Sequence, residues 1–514
     1  MKFLEGITPR KYQQKIFETC VKKNCLVVLP TGLGKTLIAL MLTIERMQKF
    51  PGEKVVFLAP TKPLAEQHLE FFKKHLPELF GDLQLFTGLV KADKRKKIWQ
   101  TADVIFSTPQ CVANDLKNYL YNLEEVCLLV EDEAHRCIKN YDYNYVAQKY
   151  KEQSKNPRIL GLTASPGSES TKIKEICKNL SIQEVELRTR DSEDVKEYLQ
   201  ELEFEKIMIN FPPELEEIKQ VLLKLFAQYV KELKKRKVLW TFPSKTKLIE
   251  LQKKLMAGIA RGNKNFNNML GVSACAQAIK LQHALELLET QTLSGFNKYL
   301  KELLNQAAKK QSKGVVKLVV KPEFDFAYTQ SNELLAKGFE HPKVKEILQI
   351  VKREISENHK AKMIIFTQFR ETATTISKRL NEIKKVNAKV FVGQAKKNGS
   401  GLSQKEQRKI INEFSAGEIN VLCATCIAEE GLDIPEVNAV IFYESVPSAI
   451  RTIQRAGRTA RLMKGKLILL ITKKTRDEAF YYVSRNKEKR MKTAINKIKE
   501  DLINENKSDF QEKL

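Results

Sequence analysis

The chain has 514 residues, enough for three or four domains, with 42% hydrophobic and 29% charged residues in an ordinary globular balance. Two tryptophans and 21 glycines exclude collagenous or low-complexity character, and the longest apolar runs, such as Leu467–Ile471, are too short to cross a bilayer. The 89 lysines and arginines against 62 acidic residues leave a net charge of +27, which points to a polyanionic partner such as a long phosphate backbone.

The opening stretch MKFLEGITPRKYQ lacks the apolar run of a secretory signal, and no basic amphipathic anchor follows, so a cytoplasmic protein without membrane contact is expected. Short apolar runs then alternate with helical stretches: Cys25–Leu29, Val55–Ala59, Val104–Ser107, Cys127–Glu131 and Ile159–Leu162. This grammar predicts an α/β domain over 1–200, built on a parallel sheet buried on both faces. Over 201–335 the period becomes helical. Leu222, Leu225, Phe226 and Tyr229 share one face, and Ala278, Leu281, Leu285 and Leu288 another. Residues 201–330 hold 22 basic and 13 acidic side chains, so a helical insertion with a basic surface is expected. Strand-like runs return at Met363–Thr367, Lys389–Val392, Val421–Ala424, Ala439–Tyr443 and Lys466–Ile471, predicting a second α/β domain over 336–475. A charged helical tail occupies 476–514. The nine cysteines are odd in number and irregular in spacing, which argues against a disulfide framework. Cys423 and Cys426 form a C-x-x-C without the second pair a zinc ribbon needs.

Three motifs carry chemistry. Leu29-Pro30-Thr31-Gly32-Leu33-Gly34-Lys35-Thr36 lies between a strand and a helix, the context of a phosphate-binding loop, although Leu29 stands at its first glycine position. Loop amides and the helix N-terminus would face the phosphates of ATP, Lys35 would neutralise their charge, and the Thr36 hydroxyl would ligate Mg²⁺. Asp132-Glu133-Ala134-His135 follows the strand Cys127–Glu131, 97 residues after Lys35. Asp132 would hold Mg²⁺ and Glu133 would orient and deprotonate the attacking water, while His135 would link this loop to its neighbours. Gln454-Arg455-Ala456-Gly457-Arg458-Thr459-Ala460-Arg461 places arginines on one helix face, with Arg458 and Arg461 as candidates to stabilise the transferring phosphoryl group.

Together these motifs resemble the superfamily 2 helicases of the D-E-A-H type, whose fold is two RecA-like parallel-sheet motor domains. Arg10 and Gln13 are similar to that family's adenine-reading segment. Pro60-Thr61-Lys62, Thr87-Gly88 and Thr108-Pro109-Gln110 resemble its nucleic-acid contacts, and Thr163-Ala164-Ser165 resembles the motif coupling hydrolysis to strand movement. In the second domain Phe369-Arg370, Gly393-Gln394 and Thr425 match further nucleic-acid motifs, and Gly431 and Asp433 match nucleotide contacts. Gln454 belongs to the last motif, as a member of the catalytic set.

The run Leu281–Gln291, with Pro447–Arg451 and Thr475–Ala479, narrows the resemblance to the archaeal Hef and Fanconi anaemia group M family. That likeness implies a DNA translocase acting on forked or branched DNA in replication-fork repair, moving 3′ to 5′, monomeric in isolation and associated with a prokaryotic nucleoid. The insertion would grip the duplex like a thumb. The tail holds no nuclease-like E-R-K followed by Asp, so either the nuclease belongs to a longer protein of which this sequence is a part, or it is a separate subunit, and that subunit or a sliding clamp is an expected partner. The rival expectations are an ATPase directed at double-stranded RNA and a non-hydrolysing nucleic-acid clamp.

Overall fold

The computed structural model describes residues 3–262, 265–394, 401–425, 434–448 and 464–511. The first lobe is built on seven parallel strands: β1 (Cys25–Val28), β2 (Lys54–Leu58), β3 (Leu83–Phe86), β4 (Val104–Ser107), β5 (Val126–Asp132), β6 (Ile159–Thr163) and β7 (Glu184–Leu187). They lie in the order β3-β4-β2-β5-β6-β1-β7. The central strands β1, β2, β4, β5 and β6 are buried along their whole length because helices cover both faces, which explains their continuous apolar runs. The expected strands are all present. The sequence reading missed β3 and β7, which are the sheet edges: with one side less demanding, Leu-Gln-Leu-Phe and Glu-Val-Glu-Leu show no unbroken apolar run.

The second lobe has six parallel strands: β8 (Leu202–Ile209), β9 (Met363–Phe366), β10 (Ala388–Phe391), β11 (Val421–Ala424), β12 (Ala439–Phe442) and β13 (Gly465–Thr472). Their order is β10-β11-β9-β12-β13-β8. The expected start of the insertion at 201 therefore falls elsewhere. Strand β8 pairs along its full length with β13, from Leu202 opposite Gly465 to Ile209 opposite Thr472. Its alternating, half-exposed pattern is that of an edge strand.

Between β8 and β9 the chain forms a helical bundle from Pro213–Lys235 to Pro322–Ala336. It packs its own apolar core around Leu222, Leu225, Leu281, Leu285, Phe296 and Phe324. The long helix Phe266–Thr290 stops at Gln291, and Thr292 caps the next helix by accepting from the Gly295 amide at 3.1 Å.

The tail is a single helix, Arg476–Gln511, and it joins the lobes. At its start Asp477 is wholly buried: Oδ1 accepts from the Ser445 amide at 2.7 Å, Oδ2 accepts from the Thr472 amide at 2.9 Å, and Oδ2 also pairs with the buried Lys343 ammonium. Lys343 donates in addition to the Thr290 carbonyl at 3.4 Å, so one ion pair ties the bundle, the second lobe and the tail. About four to six turns on, Met491, Ile495 and Ile498 enter the apolar layer of the first lobe beside Leu180 and Val185. No helix among the described residues is long and apolar enough to cross a membrane.

Candidate nucleotide and nucleic-acid site

The strand ends assemble the site. Leu29 leaves β1 hydrogen-bonded to the Thr163 carbonyl at 3.0 Å, and the chain then turns through Gly32 and Gly34 at φ +86° and +81°. Those left-handed angles suit glycine, and at Gly34 a Cβ would stand 2.2 Å from Gln13 Nε2. Leu33 buries its side chain, while its carbonyl accepts from Tyr12 Oη at 2.8 Å and from Gln13 Nε2 at 3.1 Å. The Gln13 Oε1 atom in turn accepts from the Arg10 amide at 2.8 Å. The segment around Arg10 and Gln13 therefore buttresses the loop from outside. Helix Lys35–Lys49 begins directly after Gly34, so the unbonded amides of its first turn lie at the loop. Lys35 Nζ donates to the Leu29 carbonyl at 3.0 Å, holding the ammonium across the loop.

Strand β5 brings the carboxylates. Its alternation sends Asp132 to one face and Glu131 to the other. Burial pushes the Glu131 carboxyl up to about 8, and the Cys137 thiol donates to it at 2.9 Å, so it is a neutral core group at pH 7. Asp132 is buried too. Burial would raise its pKa, but the hydrogen bond and charge of His68 and the nearby Lys35 hold it below the ordinary carboxylate range. His68 Nε2 lies 2.9 Å from Asp132 Oδ2 and His68 Nδ1 lies 3.4 Å from the Thr36 hydroxyl. One imidazole thus joins the two groups expected to hold Mg²⁺. Glu133 follows in a left-handed conformation, φ +53°, which turns its carboxylate out of the strand. Its Oε2 lies 3.2 Å from His135 Nδ1, yet this buried oxygen receives no properly aimed hydrogen bond among the described residues. An acceptor for a water proton is therefore in place. His135 also contacts the Thr163 hydroxyl at 3.3 Å. Thr163 Oγ1 donates to the Ser165 carbonyl at 3.1 Å, and Ser165 Oγ donates to Met491 of the tail helix at 2.9 Å.

The oxygen set fits magnesium. Thr36 and Asp132 offer a hydroxyl and an ionised carboxylate, and Mg²⁺ takes one or two such ligands with substrate phosphates and waters rather than a full protein cage. No cluster of three or more His, Cys, Asp or Glu able to hold a metal occurs among the described residues. His68, which contacts both candidate magnesium ligands, is a residue of this site that sequence spacing did not single out. Replacing His68 with Ala is expected to weaken the Mg²⁺-dependent part of nucleotide binding about 10- to 100-fold, with Asn restoring part of it through its own donor. Calorimetry with a non-hydrolysable ATP analogue at graded Mg²⁺ measures this; the same Mg²⁺ requirement in both variants would remove His68 from the site.

The candidate nucleic-acid residues fall on neighbouring strands. Pro60, Thr61 and Lys62 follow β2, Thr87 and Gly88 follow β3, and Thr108 and Gln110 follow β4. The nucleotide residues follow β1 and β5, with Thr163 ending β6, so one carboxyl edge carries both sets side by side. The buried Arg95–Asp115 pair, 2.7 Å from Nε to Oδ2, steadies Thr87, whose carbonyl accepts from Arg95 at 3.4 Å. Lys62 pairs with Glu66 at 3.2 Å, and Glu66 also binds Arg408 of the second lobe. In that lobe Phe369 and Arg370 follow β9, Gly393 and Gln394 follow β10, and Thr425 follows β11, again three adjacent strands. Arg370 Nη2 donates to the Gly393 carbonyl at 3.0 Å. Gly431, Asp433, Gln454, Arg458 and Arg461 lie outside the described residues, as does Cys426. The eight other cysteines are buried free thiols.

Residues 10–173 match the "DEAD/DEAH box helicase" family and residues 343–463 the "Helicase conserved C-terminal domain" family. Residues 214–331 match the family described as "Putative ATP-dependent RNA helicase, helical bundle". The crystal structure of the Pyrococcus furiosus Hef helicase domain is similar at 41% identity and a TM-score of 0.70, over 93% of this chain and 98% of that one. A Methanocaldococcus jannaschii protein named "Putative ATP-dependent RNA helicase MJ1505" is 39% identical over 95% of this chain and 60% of its own length. The mouse "Fanconi anemia group M protein homolog" is 31% identical over 95% of this chain, which spans 26% of that protein. Fungal relatives carry the name ATP-dependent DNA helicase.

Proposed function

This chain belongs to the Hef and Fanconi anemia group M family of superfamily 2 helicases, and on that footing we propose that it hydrolyses ATP to move along and remodel forked or branched DNA, 3′ to 5′, in replication-fork repair. The observation that carries this reading is the contact line from Glu133 through His135 to Thr163 and Ser165, because it links the water-activating carboxylate to an element that touches the tail helix. Lys35 leaves the Leu29 carbonyl to neutralise the β- and γ-phosphates, while Arg10 and Gln13 read the adenine and Thr31 to Thr36 cradle the phosphates. Thr36 and Asp132 would hold Mg²⁺, which would neutralise charge on the phosphate oxygens. Glu133 orients and deprotonates the attacking water. From the second lobe Gln454, Arg458 and Arg461, which lie outside the described residues, would act on the γ-phosphate by the family resemblance, and Gly431 and Asp433 would contact the nucleotide. The nucleotide then favours the closed pair of lobes, since only that state satisfies both sets of contacts.

Movement needs nucleic-acid contacts on both lobes. Thr61, Lys62, Thr87, Gly88, Thr108 and Gln110 would grip on one side, and Arg370, Gly393, Gln394 and Thr425 on the other. Such contacts go to backbone, so binding should be salt-sensitive and largely independent of sequence. A separate nuclease subunit or a sliding clamp is a further proposed partner. A second reading, a motor on double-stranded RNA, draws support from the name of the Methanocaldococcus relative. ATP turnover measured with forked DNA, linear duplex DNA and double-stranded RNA separates the readings. Forked DNA is expected to stimulate most. Stimulation by RNA alone would transfer the chain to the second reading, and the absence of turnover with every polymer would make it a clamp.

A further inference from the structure

Most large apolar side chains of the bundle are buried, but the short connection from helix Pro213–Lys235 to helix Lys245–Ala260 holds two aromatics out in solvent. Trp240 is 77% exposed and Phe242 83% exposed. The connection is tied down rather than loose. Leu239 is buried in the bundle core, the Val238 amide donates to the Leu233 carbonyl at 3.2 Å, and Gln282 Nε2 donates to the Pro243 carbonyl at 2.6 Å. Ser244 then caps the following helix. A rigid loop that exposes a tryptophan and a phenylalanine keeps about as much apolar area in water as two core side chains would bury, which marks a contact surface.

Its surroundings are cationic. Lys234, Lys235, Lys237 and Lys247 are exposed on the two flanking helices and the turn between them. The patch also runs toward the second lobe. Lys245 pairs with Glu286 at 2.6 Å and touches His283 at 3.3 Å, and the His283 ring lies 5.7 Å from that of Phe369. Phe369 directly precedes Arg370, which binds Gly393, so the loop continues the line of second-lobe residues assigned to nucleic acid. Aromatic faces interleaved with lysines bind unpaired nucleotides through base stacking and phosphate attraction, since every base offers a π-face.

We propose that Trp240 and Phe242 form a stacking platform for unpaired bases of a DNA strand at the point where the bundle meets a fork. The assignment rests on the reading of this chain as a DNA motor, and it adds a site for single-stranded bases to the backbone grip described above. Trp240 reports its own occupancy. The chain has only two tryptophans, and Trp99 is buried and stacked on Tyr121 at 3.9 Å, so it is shielded from a ligand.

Titration of the full chain with an oligothymidylate should quench tryptophan emission, and Trp240→Leu should abolish that quenching. The double variant Trp240→Ala, Phe242→Ala should bind a fork with single-stranded arms at least about fivefold more weakly by fluorescence anisotropy, with affinity for blunt duplex little changed. Both side chains project into solvent, so an unchanged thermal midpoint serves as the folding control. Binding of the oligonucleotide without quenching, or equal fork affinity in the double variant, overturns the platform while leaving the motor reading intact; the exposed aromatics would then serve a protein partner. Absence of any nucleic-acid binding by the wild-type chain overturns both.

Discussion

Glu133→Gln is expected to retain nucleotide binding and lose ATP turnover by about 10²- to 10⁴-fold, the usual contribution of a positioned general base. The substitution keeps the size and the left-handed backbone of the residue and removes the charge. Glu133 Oε2 is a buried acceptor without an aimed donor, and glutamine in its place can no longer take a proton from water. Asp132 stays held by His68, so the side of the site proposed to hold the metal is untouched. Binding of an ATP analogue by calorimetry and single-turnover hydrolysis check the two halves of this expectation. Near-normal hydrolysis in the variant would mean that another group activates the water, and the neighbouring Glu131 would be a poor replacement because it faces the opposite side of the sheet beside Cys137.

The second large effect concerns stability. Asp477→Ala should cost about 3–5 kcal/mol, the range for removing one partner of a buried ion pair. It strands the fully buried Lys343 ammonium and also frees the amides of Ser445 and Thr472. Lys343→Met should cost less, because Asp477 keeps both amide donors. For a domain of this size the loss corresponds to roughly 6–20 °C in the midpoint of the second lobe's transition. Calorimetric melting of the wild type and both variants tests the ordering; equal, small shifts would show that the pair is not a structural hub.

Local chemistry wrote the phosphate loop and the D-E-A-H segment plainly into the sequence. Gly32 and Gly34 adopt backbone angles that glycine takes at little cost, and both motifs sit at the ends of fully buried strands whose apolar runs are continuous. Edge strands were harder to see: β8 alternates like a half-exposed ribbon, so its eight residues passed for the beginning of the insertion. Partnerships across long separations left no local trace. His68 lies 64 positions from Asp132, and Lys343 lies 134 from Asp477; only the strand order and the tail's path bring them together. Trp240 and Phe242 were visible as letters, but a buried aromatic and an exposed one look alike in a basic helical stretch.

The terminal helix has a geometric consequence for how the halves of this molecule can travel. It is riveted at Asp477 to one half and at Met491 to the other, fourteen residues along a stiff rod, or about 21 Å of axial rise. A strut of fixed length forbids the halves to drift apart in parallel. While both rivets hold, they can only swing about it, like the legs of a compass, and each swing must be felt at Ser165 through its contact with Met491.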